Sequence, residues 1–252
     1  MTLPRSQLIS LNSTPLYHCV SWCVRRAFLC GKDPVSGKNY EHRREWLEER
    51  ILYLAQYFCI QVAAYAVMSN HYHIVLRVDK DTAINLSPKE VIEHWQGMFK
   101  GTMLSNQFLA DPESLSVPQM TELLKQVEVW RERLYDISWF MRCINEFIAK
   151  KANRKDKCTG RFWEGRFKSQ ALLDDKALIA CMAYVDLNPV RAGISRQPAN
   201  SSYTSIKKRN QSRKKNSKKT ILPKVLLPFS DDNQEDITNR YLIHCTLDEY
   251  KD

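Results

Sequence analysis

The sequence predicts an α+β domain, one antiparallel sheet with helices on one face, followed by a flexible basic tail. Three observations carry this. Two strand-like runs, Gln61 to Met68 and His71 to Val78, are separated only by Ser69-Asn70, which suits a tight hairpin turn. A helix-period segment lies between an earlier strand-like run and that hairpin. After a long helical stretch, one more extended run and one more amphipathic helix follow.

The first strand candidate, Tyr17 to Val24, is rich in aromatic and β-branched residues and is closed by Arg25-Arg26. From Glu41 to Phe58, Trp46, Leu47, Ile51, Leu54, Ala55 and Phe58 recur at helical spacing, and Glu41, Arg43, Arg44, Glu48, Glu49 and Arg50 supply the opposite, solvated face. Beyond the hairpin, Ser87-Pro88-Lys89-Glu90 opens a helix, with Ser87 as N-cap, proline at the first helical position and Glu90 completing a capping box. Two further helices are expected around Met120 to Tyr135 and Ser138 to Ala152. Gly160 to Leu173 reads as the last strand. Asp174-Asp175 then caps a helix through Leu187 that Pro189 should end.

This order fits a ferredoxin-like sheet in a domain over residues 1–195, with a helical insertion at about 111–152. Residues 196–220 carry nine Lys and Arg and no acid, which predicts a flexible basic linker. An acidic end follows, to residue 252.

The formal charge is +10 and the pI near 9.2, so the chain should concentrate on polyanions. The charge divides equally, +5 on each side of residue 195. No apolar run is long enough for a bilayer, and Met1 to Ser10 lacks the apolar core of a signal peptide, so a cytoplasmic protein is expected. The eight cysteines include no Cys-x-x-Cys pair, which excludes the usual zinc spacing and makes them small core residues.

Two motifs carry chemistry. Along a strand His71 and His73 emerge on one face and Tyr72, Ile74 and Leu76 on the other, so the imidazoles can point together away from the helices. A pair of histidines is a candidate ligand set for one divalent cation, although a structural or solvated pair has the same spacing. On the helix after Asp175, Leu178, Met182 and Val185 form the apolar stripe; Tyr184 lies off it, with Asn188 one turn further on the same face. Spacing alone leaves open an ordinary amphipathic tyrosine and an asparagine C-cap.

Three segments together resemble the HUH single-tyrosine transposases, in the branch of REP-associated tyrosine transposases: Tyr65 to Leu76 (YAVMSNHYHIVL), Gly160 to Lys168 (GRFWEGRFK) and Tyr184 to Gly193 (YVDLNPVRAG). They occur in the family's order, and the resemblance spans roughly Tyr17 to Gly193. It implies that His71, His73 and Asn188 bind Mg²⁺ or Mn²⁺, that Tyr184 is the nucleophile, and that single-stranded DNA with hairpins is the substrate, cut through a 5′-phosphotyrosine intermediate. The first strand departs from the family pattern, with Trp22 in place of an arginine.

Arg161, Trp163, Arg166 and Lys168 interleave cations with an aromatic, which suits phosphate neutralisation and base stacking, although Trp163 and Phe167, spaced four apart in a strand, equally suit a pair of core residues. Arg191, Arg25 and Arg26 are further DNA-binding candidates. No membrane partner is expected, and either a monomer or a homodimer fits. The alternative functions are a domesticated hairpin-binding protein without cleavage activity and a hydrolase of small phosphoesters.

Overall fold

The computed structural model describes residues 8–24, 29–33, 37–215, 225–231 and 241–251. Its centre is a four-stranded antiparallel sheet of β1 (Leu16–Trp22), β2 (Ile60–Val67), β3 (His71–Val78) and β4 (Lys168–Leu172), in the order β2-β3-β1-β4. With α1 (His42–Leu54) between β1 and β2, and the helices between β3 and β4, this is the ferredoxin-like arrangement. The hairpin closes as expected, Met68 N–H donating to His71 C=O at 2.9 Å across Ser69-Asn70.

Strand parity divides the sheet. Tyr72, Ile74 and Leu76 of β3, with Tyr17 and Cys19 of β1, pack against Leu47, Ile51 and Leu54 of α1 and against Phe140, Met141, Ile144 and Ile148 of α6 (Ile137–Asp156). Asn145 of α6 ties this layer to the sheet, accepting from the Tyr72 hydroxyl at 2.8 Å and donating to Ser21 Oγ at 3.0 Å. The expected insertion at about 111–152 is therefore divided. Its second helix belongs to the sheet, whereas α2 (Lys80–Asn85), α3 (Pro88–Gln96), α4 (Met103–Ala110) and α5 (Val117–Leu134) lie beside it. These supply a second core around Ala83, Val91, Ile92, Trp95, Leu123, Val127 and Trp130, against which Leu104, Phe108 and Leu109 of α4 pack. The capping box of α3 is present, Ser87 Oγ accepting from Glu90 N–H at 3.3 Å and Glu90 Oε2 accepting from Ser87 N–H at 2.7 Å.

Helices do not cover one face alone. The last long helix, α7 (Asp175–Arg191), lays Leu178, Met182 and Val185 on the opposite face, against Leu16, Ala64, Ala66, Val75 and Leu172. That face is also apolar over most of its area, and the alanines of β2 let a helix approach it closely. Nor does Pro189 end the helix. Proline in the last turn removes one N–H, but Ala192 N–H still donates to Asn188 C=O at 2.9 Å, and the chain turns out only at Gly193, whose φ of +68° suits the left-handed end of a helix.

Three other expectations change. Only Lys168–Leu172 of the segment Gly160 to Leu173 is a strand; before it, Cys23 and Trp163 make a single bridge while the chain bends. Arg43 and Arg44 are buried rather than solvated. Arg43 pairs with Asp156 at 2.5 Å, and Arg44 donates to the Val67 carbonyl and pairs with Glu41 at 2.8 Å.

The basic segment, too, is structured over much of its length. Residues 201–212 run along the outer edge of β2, with Val67 N–H donating to Tyr203 C=O at 3.2 Å and Tyr65 N–H to Ser205 Oγ at 3.1 Å. On α8 (Ser205–Lys215) the buried Arg209 donates to the carbonyls of Ala63 at 2.9 Å and Leu227 at 2.8 Å. Leu227 N–H returns to Val62 C=O at 2.8 Å. An uncovered edge strand leaves a row of backbone groups without partners, and this segment supplies them. The eight cysteines are thiols, five of them buried.

Candidate active site

The pairing of β1 with β3 builds the site. Trp22 lies opposite His71, Val20 opposite His73 and His18 opposite Val75, so all six share one face. Opposite residues on antiparallel strands are close neighbours, and long side chains reach the diagonal ones. His18 Nε2 accordingly lies 2.9 Å from His73 Nδ1, and His73 Nε2 lies 2.9 Å from His71 Nε2. His71 Nδ1 lies 2.6 Å from Asn70 Oδ1, and the indole of Trp22 stacks on the His71 ring at 3.9 Å between centroids. The result is a continuous row from Asn70 through His71 and His73 to His18.

The tyrosine helix crosses this row. The Tyr184 ring stands edge-on to His73 at 5.8 Å and to His18 at 6.2 Å between centroids. It keeps 43% of its surface exposed, and its hydroxyl makes no hydrogen bond among the described residues. The half-buried Asn188 follows one turn later, its side-chain amide likewise without a hydrogen bond among the described residues. Arg191 closes that end, its guanidinium carbon 5.7 Å from the Tyr184 ring centroid. Lys168 of β4 pairs with Val20 and so stands on the histidine face, exposed.

His73 is 4% exposed, and its pKa is lowered to about 3, first by burial and then by the neighbouring His71 and His18. Burial lowers His18 as well. These rings are neutral at pH 7, the state in which an imidazole nitrogen can bind a cation.

Whether the residues fit a metal ion turns on where the lone pairs point. Ligands at right angles around an ion with bonds of about 2.1 Å lie about 3 Å apart, and the Nε2 atoms of His71 and His73 match that spacing. His18 does not join them, because it meets the other nitrogen of His73. Among the described residues no group of three or more His, Cys, Asp and Glu side chains is disposed to hold a metal. The site thus offers two imidazoles, and further ligands must come from outside that set, such as an amide or the substrate.

The DNA-binding candidates fare unevenly. Arg161, Arg166, Lys168 and Arg191 are exposed. Trp163 is not available for base stacking: it is buried against Tyr72, and its indole N–H donates to Asn145 C=O at 2.8 Å. Trp163 and Phe167 both turn inward and are buried in the core between the sheet and α6. Arg25 and Arg26 lie outside the described residues. Sequence reasoning missed His18 and gave Trp22 no place in the site. Both share the parity that places them on the histidine face, but only the pairing register of β1 shows that they meet His73 and His71.

No family model and no curated protein matches this chain. A solved structure does. It is the structure of a REP-associated tyrosine transposase bound to a REP hairpin, similar at a TM-score of 0.48 and 13% identity over 86% of this chain and 87% of that one. Among the described residues no helix is long and apolar enough to cross a membrane.

Proposed function

We propose that this protein is a metal-dependent single-tyrosine nuclease and strand transferase of the REP-associated type, acting on single-stranded DNA at hairpins. The observation that carries the reading is the half-exposed Tyr184 ring beside His73, a phenol and an imidazole pair brought together from distant parts of the chain.

In this reading the Tyr184 oxygen attacks the phosphorus of a phosphodiester. A tyrosine O–P bond forms, the P–O3′ bond breaks, and the phenol's proton is balanced by the one the 3′ oxygen gains. The product pair is a 5′-phosphotyrosine and a free 3′-hydroxyl. Attack by a 3′-hydroxyl on the phosphotyrosine reverses the exchange and releases the phenol, so rejoining needs no external energy source. His71 and His73 would hold Mg²⁺ or Mn²⁺ through their Nε2 atoms, with Asn188 on the tyrosine helix as the third ligand, and the bound ion would supply Lewis-acid polarisation of the phosphodiester. Lys168, on the histidine face, and Arg191, beside the Tyr184 ring, neutralise backbone phosphates, and Trp22 holds the His71 ring by stacking on it.

The test is a labelled single strand carrying a hairpin, incubated with Mg²⁺ or Mn²⁺ and resolved under denaturing conditions. The wild-type protein should yield a covalent adduct and Tyr184→Phe none, with hairpin binding retained. Because the hydroxyl makes no hydrogen bond, that substitution should shift stability by no more than about 0.5 kcal/mol, so loss of the adduct reports chemistry rather than unfolding. An adduct that survives in Tyr184→Phe moves the nucleophile elsewhere. Hairpin binding by the wild type without any adduct leaves a binding protein.

A further inference from the structure

We infer that His18 is a positioning residue for the cation site: by accepting the proton of His73 Nδ1 in a hydrogen bond, it turns the Nε2 lone pair of His73 toward the ion. This rests on the reading that His71 and His73 hold the cation.

A neutral imidazole carries one N–H and one lone pair, and what one nitrogen meets decides what the other presents. His71 is fixed from outside the pair, because Asn70 presents a carbonyl oxygen 2.6 Å from Nδ1. The His71 proton therefore sits on Nδ1, and its Nε2 offers a lone pair. His73 has two possible arrangements. In the first, His18 Nε2–H donates to His73 Nδ1 and His73 Nε2–H donates to His71 Nε2, so every contact in the row is satisfied without an ion. In the second, His73 carries its proton on Nδ1 and donates it to His18 Nε2. The Nε2 lone pairs of His71 and His73 then face the same space at 2.9 Å, which is unfavourable unless a cation lies between them.

Only the second arrangement binds a metal, and it requires an acceptor on the Nδ1 side of His73. His18 is placed for that role. Its Nε2 is 2.9 Å from that nitrogen, and the ring planes differ by 16° with centroids 5.1 Å apart. At that separation the rings meet edge to edge, as an in-plane N–H···N hydrogen bond requires, rather than face to face. Because imidazole both accepts and donates, His18 serves either arrangement by exchanging its own tautomer. A phenylalanine at 18 would serve neither, and a glutamine could serve both through its amide.

The experiment measures Mn²⁺ binding by calorimetry on the DNA-free full chain, for wild type, His71→Ala, His18→Phe and His18→Gln, together with the tautomer of His73 by ¹⁵N NMR in the presence of Mg²⁺. Wild-type binding that His71→Ala abolishes supports the underlying cation site; its absence overturns that site and this inference with it. Given the site, His18→Phe should weaken Mn²⁺ by about 10- to 100-fold, the usual effect of removing such an outer partner, and His18→Gln should bind nearly as well as wild type. Mg²⁺ should move the His73 proton to Nδ1 in the wild type and in His18→Gln. Unchanged affinity in His18→Phe, or equal loss in both variants, overturns the role of His18 while leaving the cation site standing. If His18→Phe does not fold, the NMR result decides: a His73 proton on Nε2 with Mg²⁺ bound to the wild type rejects the inference.

Discussion

Replacing Tyr250 by phenylalanine tests whether the C-terminal segment is part of the domain. Asp186, two residues after Tyr184 on α7, is 3% exposed, and its carboxylate accepts three hydrogen bonds: from Ser205 Oγ at 2.7 Å, from Ile206 N–H at 3.2 Å and from the Tyr250 hydroxyl at 2.8 Å. Burial raises the pKa of Asp186, and the three donors oppose that rise. Tyr250→Phe removes one donor and little volume. A hydrogen bond to a charged group contributes about 1.5–3 kcal/mol, so a loss of about 2 kcal/mol is expected well above the carboxyl pKa. That corresponds to a Tm lower by roughly 4–8 °C for a chain of this size.

The sign of the pH dependence follows. Loss of the donor raises the folded-state pKa of Asp186 further, so the difference between variant and wild type is full at high pH and shrinks as pH falls and the carboxyl takes up a proton in both. Urea denaturation at pH 8 and at pH 5 measures it, with an unchanged m-value showing that the same surface unfolds. A change under about 0.5 kcal/mol at pH 8 would mean that Asp186 does not depend on this contact and that the segment is a loose tail after all.

Wild-type stability should itself fall as pH drops from about 6.5 toward 3, because His73 resists protonation in the folded state while the unfolded chain takes up the proton; His73→Gln should flatten that slope in thermal melts. Trp163→Phe removes the indole donor to Asn145 and should cost about 1–3 kcal/mol in denaturation, yet leave hairpin affinity unchanged at temperatures where the variant is folded; a selective loss of affinity would restore Trp163 as a DNA contact. Lys168→Ala and Arg191→Ala should each weaken binding of a single strand and reduce the slope of log affinity against log salt by about 0.7, whereas an unchanged slope removes that residue from the phosphate path.

Parts of the site could be read in one dimension because strand parity and helical period are local. His71 and His73 had to share a face, and Tyr184 had to leave the stripe of Leu178, Met182 and Val185. The covering of both sheet faces had a local signal as well: Val62 to Val67 is apolar without alternation, as a strand buried on both faces must be. Arg43 and Arg44 gave no such sign, since a buried arginine and a solvated one look alike until Asp156 and the Val67 carbonyl are placed beside them. The basic segment was read by composition, which registers charge but not the unmet backbone groups of β2 that it runs along.

The sequence by itself determined the first three strands, the hairpin, the capped helices and the two motifs that bear imidazoles and a phenol, because these depend on residues within a turn or two of one another. The tertiary structure decided which groups meet. The register of β1 against β3 brings His18 and Trp22 to the histidine pair, and the packing of α7 across that face sets the tyrosine beside it. Such pairings join residues far apart along the chain, and their free energy resides in contacts that no local pattern encodes.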